Sequence, residues 1–135
     1  MPALRKSRGA IVFIGSTSTK EPKPHHVVSN VMRAGVAGLA KTLAKGLLKE
    51  GVRVNSVVPG FFDSGRVKRR IDEHAAKTGM PRREASKDLL GPLAMDRVGE
   101  PHELGDAVAF LASPLASFIT GATLAVDGGS SQAIF

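Results

Sequence analysis

Cysteine, tryptophan and tyrosine are all absent from the 135 residues. Without cysteine there is no disulfide, no thiolate metal site and no thiol nucleophile, which suits a cytoplasmic protein. Without tyrosine there is no phenol to serve as a tunable acid. Six phenylalanines are the only aromatic residues, and none is interleaved with the basic clusters as a stacking platform for nucleic acid. No apolar run approaches the ~20 residues that span a bilayer. The basic start MPALRKSRG is not followed by an apolar segment of signal-peptide type, because the run Ala10 to Ile14 is too short. No specific nucleic-acid partner and no membrane partner is expected.

What is present points to one globular domain. The hydrophobic content is 42% and the mean hydropathy is close to zero, and the length suffices to bury a real core. The formal charge of +7 attracts polyanions in general. It is scattered over helical faces, with clusters at Arg5, Lys6 and Arg8 and at Lys68, Arg69 and Arg70. A solvated surface explains these clusters as well as an acidic or phosphate-bearing partner does.

Residues 1 to 9 read as the end of a helix and a turn. Ala10 to Ile14 is a continuous apolar run, the pattern of a parallel strand covered on both faces. Gly15 and Ser16 end it, and Thr17 to Pro24 is a loop with two prolines. From Val27 the period becomes helical. Val28, Met32, Val36, Leu39, Leu43 and Leu47 recur at steps of three and four and line one stripe. Ala34, Gly35, Ala37 and Gly38 would allow close approach of another element. Lys49, Glu50 and Gly51 end that helix. Val52 to Val58 is a second strand closed by Pro59-Gly60. The span 61–99 is charged and carries two weak helical stretches near 67–78 and 82–90, so it reads as a lid-like insertion. A third helix covers 100–112, with Leu104, Ala107, Val108 and Leu111 inward. A last strand covers 122–126, before Asp127-Gly128-Gly129 and a tail ending in Ile134-Phe135. Strands alternating with helices imply parallel pairing with right-handed crossovers. The order β-α-β-lid-α-β in residues 1–135 makes a single domain of class α/β with a three-stranded parallel sheet.

The motifs GAIVFIGS, AGVAGLAKTLAKGLLKEGVRVNSVVPG and RVGEPHELGDAVAFLASPLASFITGATLAVDGG follow one another through nearly the whole chain. In that order the sequence resembles the C-terminal half of the short-chain dehydrogenase/reductase family, closest to the branch of 3-oxoacyl-acyl-carrier-protein reductases. The resemblance implies a doubly wound Rossmann sheet, NAD or NADP as cofactor, and carbonyl/alcohol interconversion. Reduction of a 3-oxoacyl thioester is one form of that chemistry. It further implies a small-molecule or acyl-thioester substrate and a homo-oligomer. The family's catalytic serine falls on Ser16, whose hydroxyl would bond the substrate oxygen as it gains negative charge. The nicotinamide contacts fall on Pro59, Gly60, the Phe62 backbone and Ser64. Asn55 matches an asparagine that is mainly structural, and the lid from Ser64 to Gly99 would close over substrate.

Two departures matter. The family's Tyr-x-x-x-Lys is here Ser29-Asn30-Val31-Met32-Arg33. A phenol starts near a pKa of ~10, and a neighbouring cation brings it into useful range. A serine hydroxyl is far less acidic. Arg33 keeps the positive charge and a fork suited to ribose hydroxyls, but stays protonated and relays protons poorly. His26, three residues before Ser29, is a candidate substitute acid; a solvent-facing histidine beside His25 is the plainer alternative. Secondly, no G-x-x-x-G-x-G or G-x-G-x-x-G occurs, so the pyrophosphate-binding half of the family pattern is missing. Either the sequence belongs to a longer reading frame, or it is a half-domain that associates or has lost catalysis. Two functions stand side by side: an oxidoreductase with catalytic positions Ser16, Ser29 and Arg33, and a non-catalytic homologue acting as an interaction or scaffold module.

Overall fold

A computed structural model describes residues 1–91 and 95–133. Residues 92–94 of the expected lid and the tail residues Ile134 and Phe135 lie outside that description. The order is α1 (Pro2–Ser7), β1 (Ala10–Ile14), α2 (Val27–Gly46), β2 (Arg53–Pro59), α3 (Gly65–Thr78), α4 (Arg82–Leu90), α5 (Pro101–Ala112) and β3 (Thr123–Val126). The three strands form one sheet in the order β1-β2-β3, and both pairings are parallel. This is the expected α/β architecture, with element boundaries within about two residues of those read from periodicity, except that α2 ends at Gly46 and a separate 3-10 turn, Leu48–Glu50, takes the chain to Gly51.

Parallel pairing requires crossovers, and the two crossovers cover opposite faces of the sheet. On one face, Ala40 and Ala44 of α2 and Leu47 just after it pack with Val52 and Val54, supported by Ile11, Phe13 and Leu43. On the other, Leu111 of α5 packs with Val57 and Ala116, supported by Val12, Leu104 and Val108. The alternation Ile11/Val12/Phe13 follows from the period of two in a strand. The central β2 is buried along most of its length, with Val54 and Val57 at 0% exposure. β1 is an edge strand, half-buried and ending in an exposed Ile14; Ile11 and Phe13 meet the α2 cluster and Val12 the α5 cluster, so both its faces are covered, as its continuous apolar run suggests.

The apolar stripe expected on α2 is corrected. Leu43 and Leu47 do face the sheet, but Val28, Met32 and Leu39 are exposed. The face that docks is formed around Ala40 and Ala44. Small side chains let the helix axis approach the sheet, and that geometry selects the inward face over a bulkier stripe alongside it. Val27, Val28, Val31 and Met32 stay outside. A side chain at Gly35 or Gly38 would meet nothing.

Polar anchors set the ends of the elements. Asn55 is fully buried; its amide donates to Ile119 O at 2.9 Å, and its Oδ1 accepts from Ala122 N at 3.0 Å. These bonds fasten the lead-in of β3 to β2. Arg53 donates to the carbonyls of Leu111, Ala112 and Ser113 at the end of α5. Helices α3 and α4 pack chiefly on each other, with Ile71 and Ala85 as their buried residues. They are tied by Arg82–Asp72 and His74–Asp88 pairs at 2.8 and 2.7 Å. No helix among the described residues is long and apolar enough to cross a membrane.

Candidate active site

Because the strands are parallel, their carboxyl ends share one edge of the sheet, the edge where open α/β sheets bind ligands. A cavity of about 320 Å³ lies there. Its lining brings together Ser16 at the tip of β1, His26 and Ser29 at the start of α2, and Pro59 and Gly60 at the end of β2. Residues far apart in sequence thus converge as the strand-turn-helix reading expects.

Ser16 follows Gly15, whose N–H donates to Val57 O at 2.8 Å and keeps β1 in register to its end. Its backbone is extended and opens a short 3-10 turn, Thr17–Thr19. Ser16 Oγ accepts from Ser18 N at 3.2 Å and shares a 2.8 Å hydrogen bond with Ser18 Oγ. Ser29 is exposed in the first turn of α2 and lines this cavity and a shallower one bounded by His25 and Arg66. Asn30, one residue on, pins the preceding loop: its amide donates to Lys23 O at 2.9 Å and its Oδ1 accepts from Lys23 N. The Lys23 ammonium lies 5.2 Å from the centre of the Phe61 ring, within cation–π range.

Arg33 is not among the residues lining the cavity. Its Nη1 donates to Ile14 O at 3.0 Å and, more weakly, to Gly15 O at 3.4 Å. The guanidinium therefore stands behind the strand tip, holding the two carbonyls that lead into Ser16.

At the end of β2, Gly60 is required by packing. A Cβ there would come within 2.7 Å of Asp127 Cα. The next residues form a parallel bridge to Gly99: Asp63 N donates to Gly99 O, and Gly99 N to Phe61 O. Phe62 O accepts from Ser64 N at 2.7 Å, and Ser64 Oγ caps α3 through Val67 N. The Phe62 N–H has no hydrogen-bond partner among the described residues.

The sequence reading missed the far wall. Asp127 accepts from Gly129 N and Ser131 N, folding the segment after β3 back. Glu21 Oε1 then accepts from Ser131 Oγ at 3.0 Å and Gln132 N at 2.6 Å. The Ser131 hydroxyl first, and then the Gln132 amide, hold the Glu21 carboxyl below its ordinary range. No local pattern signals a contact across 110 residues. A second cavity of about 260 Å³ lies beside Phe61, Phe62 and Met95. Of its charged groups, Arg97 and Glu103 bond each other at 2.8 and 2.7 Å, and Asp127 accepts from Gly129 N and Ser131 N, so each of these carboxylates already has a partner. No group of side chains able to hold a metal ion occurs among the described residues.

The family model described as enoyl-(acyl carrier protein) reductase matches residues 1–131. This chain belongs to the short-chain dehydrogenase/reductase family. It is 36% identical over 126 residues to a 3-oxoacyl-[acyl-carrier-protein] reductase of Vibrio cholerae, covering 93% of this chain and 47% of that one. Among solved structures, an NADPH-bound short-chain oxidoreductase from Pseudomonas aeruginosa, described as containing an atypical catalytic center, superposes with a TM-score of 0.83. The identity is 33%, over 98% of this chain and 50% of that one. L-sorbose reductase of Gluconobacter frateurii, solved with NADPH and L-sorbose, superposes with a TM-score of 0.90 at 27% identity, over 98% and 51% of the two chains. The chain thus spans about half the length of the curated relatives it matches.

A nicotinamide dinucleotide is the cofactor this short-chain dehydrogenase fold implies. The residues suit its nicotinamide end. The Phe62 N–H, without a hydrogen-bond partner among the described residues, stands just past the end of β2, and Ser29 lines the cavity. The glycine-rich turn that cradles a pyrophosphate does not occur in this sequence.

Proposed function

We propose that this chain forms the substrate-facing part of a short-chain reductase that interconverts a carbonyl and an alcohol with NADH or NADPH, acting on a small molecule or an acyl thioester such as a 3-oxoacyl group. The observation that carries this reading is the convergence of Ser16, Ser29 and His26 on one cavity at the carboxyl ends of parallel strands.

A reduced nicotinamide, when bound, supplies a hydride to the carbonyl carbon. The Phe62 N–H would hold the carboxamide, with Pro59, Gly60 and Ser64 shaping that end of the site. Ser16 donates a hydrogen bond to the substrate oxygen as it becomes negative; such a donor acts most strongly where water is excluded. Ser29 stands where the family's tyrosine would deliver the proton, and a serine hydroxyl is too weak an acid for that step. His26 lines the same cavity, and an imidazole N–H can pass a proton to an oxygen. It is the candidate proton donor to the alkoxide oxygen. Arg33 uses Nη1 on the strand tip, which leaves its other N–H groups for ribose hydroxyls. A similar protein described as having both bound NADPH and an atypical catalytic center supports reading this departure as compatible with cofactor binding. We assign the α3–α4 hairpin within residues 61–99 as a lid on a single domain spanning 1–135, in a cytoplasmic protein.

The test is a titration of the chain with NADH and NADPH, followed by nucleotide fluorescence. Saturable binding is expected below millimolar concentration, and its absence would refute cofactor use by this chain. A second reading, an interaction module that works as a homo-oligomer, is favoured by the exposed apolar face of α2 around Val28, Val31 and Met32. It predicts concentration-dependent association without nucleotide binding.

A further inference from the structure

We infer that Ser18 is a positioning residue: it donates its hydroxyl proton to Ser16 Oγ and so leaves the single Ser16 proton free for the substrate oxygen. The inference rests on the role proposed for Ser16 and deepens it.

A serine hydroxyl has one proton to give and two lone pairs to fill. One lone pair of Ser16 Oγ already accepts from Ser18 N at 3.2 Å. The 2.8 Å contact between the two hydroxyls can run in either direction, and the surroundings decide between them. Ser18 is 4% exposed. Ser16 Oγ is the only side-chain partner of Ser18 among the described residues. If Ser16 donated to Ser18, the Ser18 proton would have no protein acceptor among the described residues, at a position with only 4% exposure on the cavity wall, a costly arrangement. If Ser18 donates to Ser16, both Ser18 donors and both Ser16 lone pairs are satisfied. The one group left over is the Ser16 O–H, on a half-exposed residue that lines the cavity.

Two consequences follow for the proposed chemistry. The Ser16 oxygen can no longer act as an acceptor, so it presents only a donor to a ligand. That is the polarity a developing oxyanion needs and a ground-state hydroxyl substrate does not. Donation from Ser18 also polarises the Ser16 O–H, since hydrogen bonds in a chain strengthen one another. The Ser16-Thr17-Ser18 turn then acts as a preset donor, held from behind by Arg33 on Ile14 O.

The test uses ring-substituted phenols of graded acidity as oxyanion probes, with binding to the chain measured by calorimetry. The native protein is expected to bind the phenolate form, and Ser16→Ala to weaken it. Ser18→Ala should weaken binding by about tenfold, and Ser18→Thr, which keeps the hydroxyl, should restore it. In a Ser16→Ala background, Ser18→Ala should cause no further loss, because its effect passes through Ser16. Loss of equal size in both backgrounds, or no loss with Ser18→Ala, would overturn the inference and leave the Ser16 role intact. Equal phenolate affinity for the native chain and Ser16→Ala would overturn the Ser16 role itself, and this inference with it.

Discussion

Asn55 offers the sharpest test of how the fold holds the site together. Its side chain is at 0% exposure and bridges two backbone groups of the segment that delivers β3, donating to Ile119 O and accepting from Ala122 N. Truncation to alanine leaves both part-buried groups without these partners. Each orphaned group costs about 1–3 kcal/mol, so Asn55→Ala is expected to destabilise the chain by about 2–5 kcal/mol. That is a large share of the ~5–15 kcal/mol typical of a domain. With a urea slope of about 2 kcal/mol per molar, the midpoint should fall by about 1–2 M. Asn55→Asp separates the two bonds. The acceptor toward Ala122 N survives, but a carboxylate then faces the Ile119 carbonyl in a buried place, which raises its pKa. A group whose folded pKa is raised in this way destabilises at neutral pH, and protonation relieves it, because the neutral acid can donate to Ile119 O. Asn55→Asp should therefore be less stable than Asn55→Ala at pH 7 and recover as the pH falls through its raised pKa. Urea unfolding followed by circular dichroism at pH 5 and pH 7 reads both effects. A loss under about 1 kcal/mol for Asn55→Ala, or an Asn55→Asp stability that does not rise on acidification, would refute the bridging argument.

Three further outcomes follow. The Arg97 guanidinium, and after it the Glu100 N–H, hold the Glu103 carboxyl down to about 2 from its ordinary 4.5. A depressed folded pKa contributes stability that is present above 4.5 and lost as the pH falls toward 2; thermal melts at stepped pH should show Glu103→Gln flattening that window, by a small amount because the pair is exposed. Gly60→Ala would drive a methyl to 2.7 Å from Asp127 Cα, so a loss of about 1–3 kcal/mol is expected in chemical unfolding, and an unchanged midpoint would contradict that contact. Ser29→Tyr combined with Arg33→Lys places a tunable phenol on the cavity, and carbonyl-reduction turnover with NADPH should rise by about a hundredfold; no rise would count against the proton-donor argument.

The fold was largely legible in the linear pattern. The run Ala10 to Ile14 and the span of β2 announced themselves by β-branched apolar residues, and the helix from Val27 by its period. Strands alternating with helices force parallel pairing, and parallel pairing puts Ser16, Ser29 and Gly60 at one edge. The inward face of α2 was not legible, because two apolar stripes run side by side on it. Only docking on the sheet decides that Ala40 and Ala44 go in while Val28 and Met32 stay out.

The strand tip and helix start of residues 9–60 thus divide between the two levels. The motifs carried the resemblance to the family, and residue types and spacing by themselves determined the order of strands and helices and the absence of a phenolic acid, since these depend only on which side chains recur at which interval. Tertiary structure alone decided that Arg33 holds the β1 carbonyls, that Ser18 stands against Ser16, and that Glu21 closes the site on Ser131. Those are contacts between polar atoms whose partners depend on direction and distance in space, and a one-dimensional pattern carries neither.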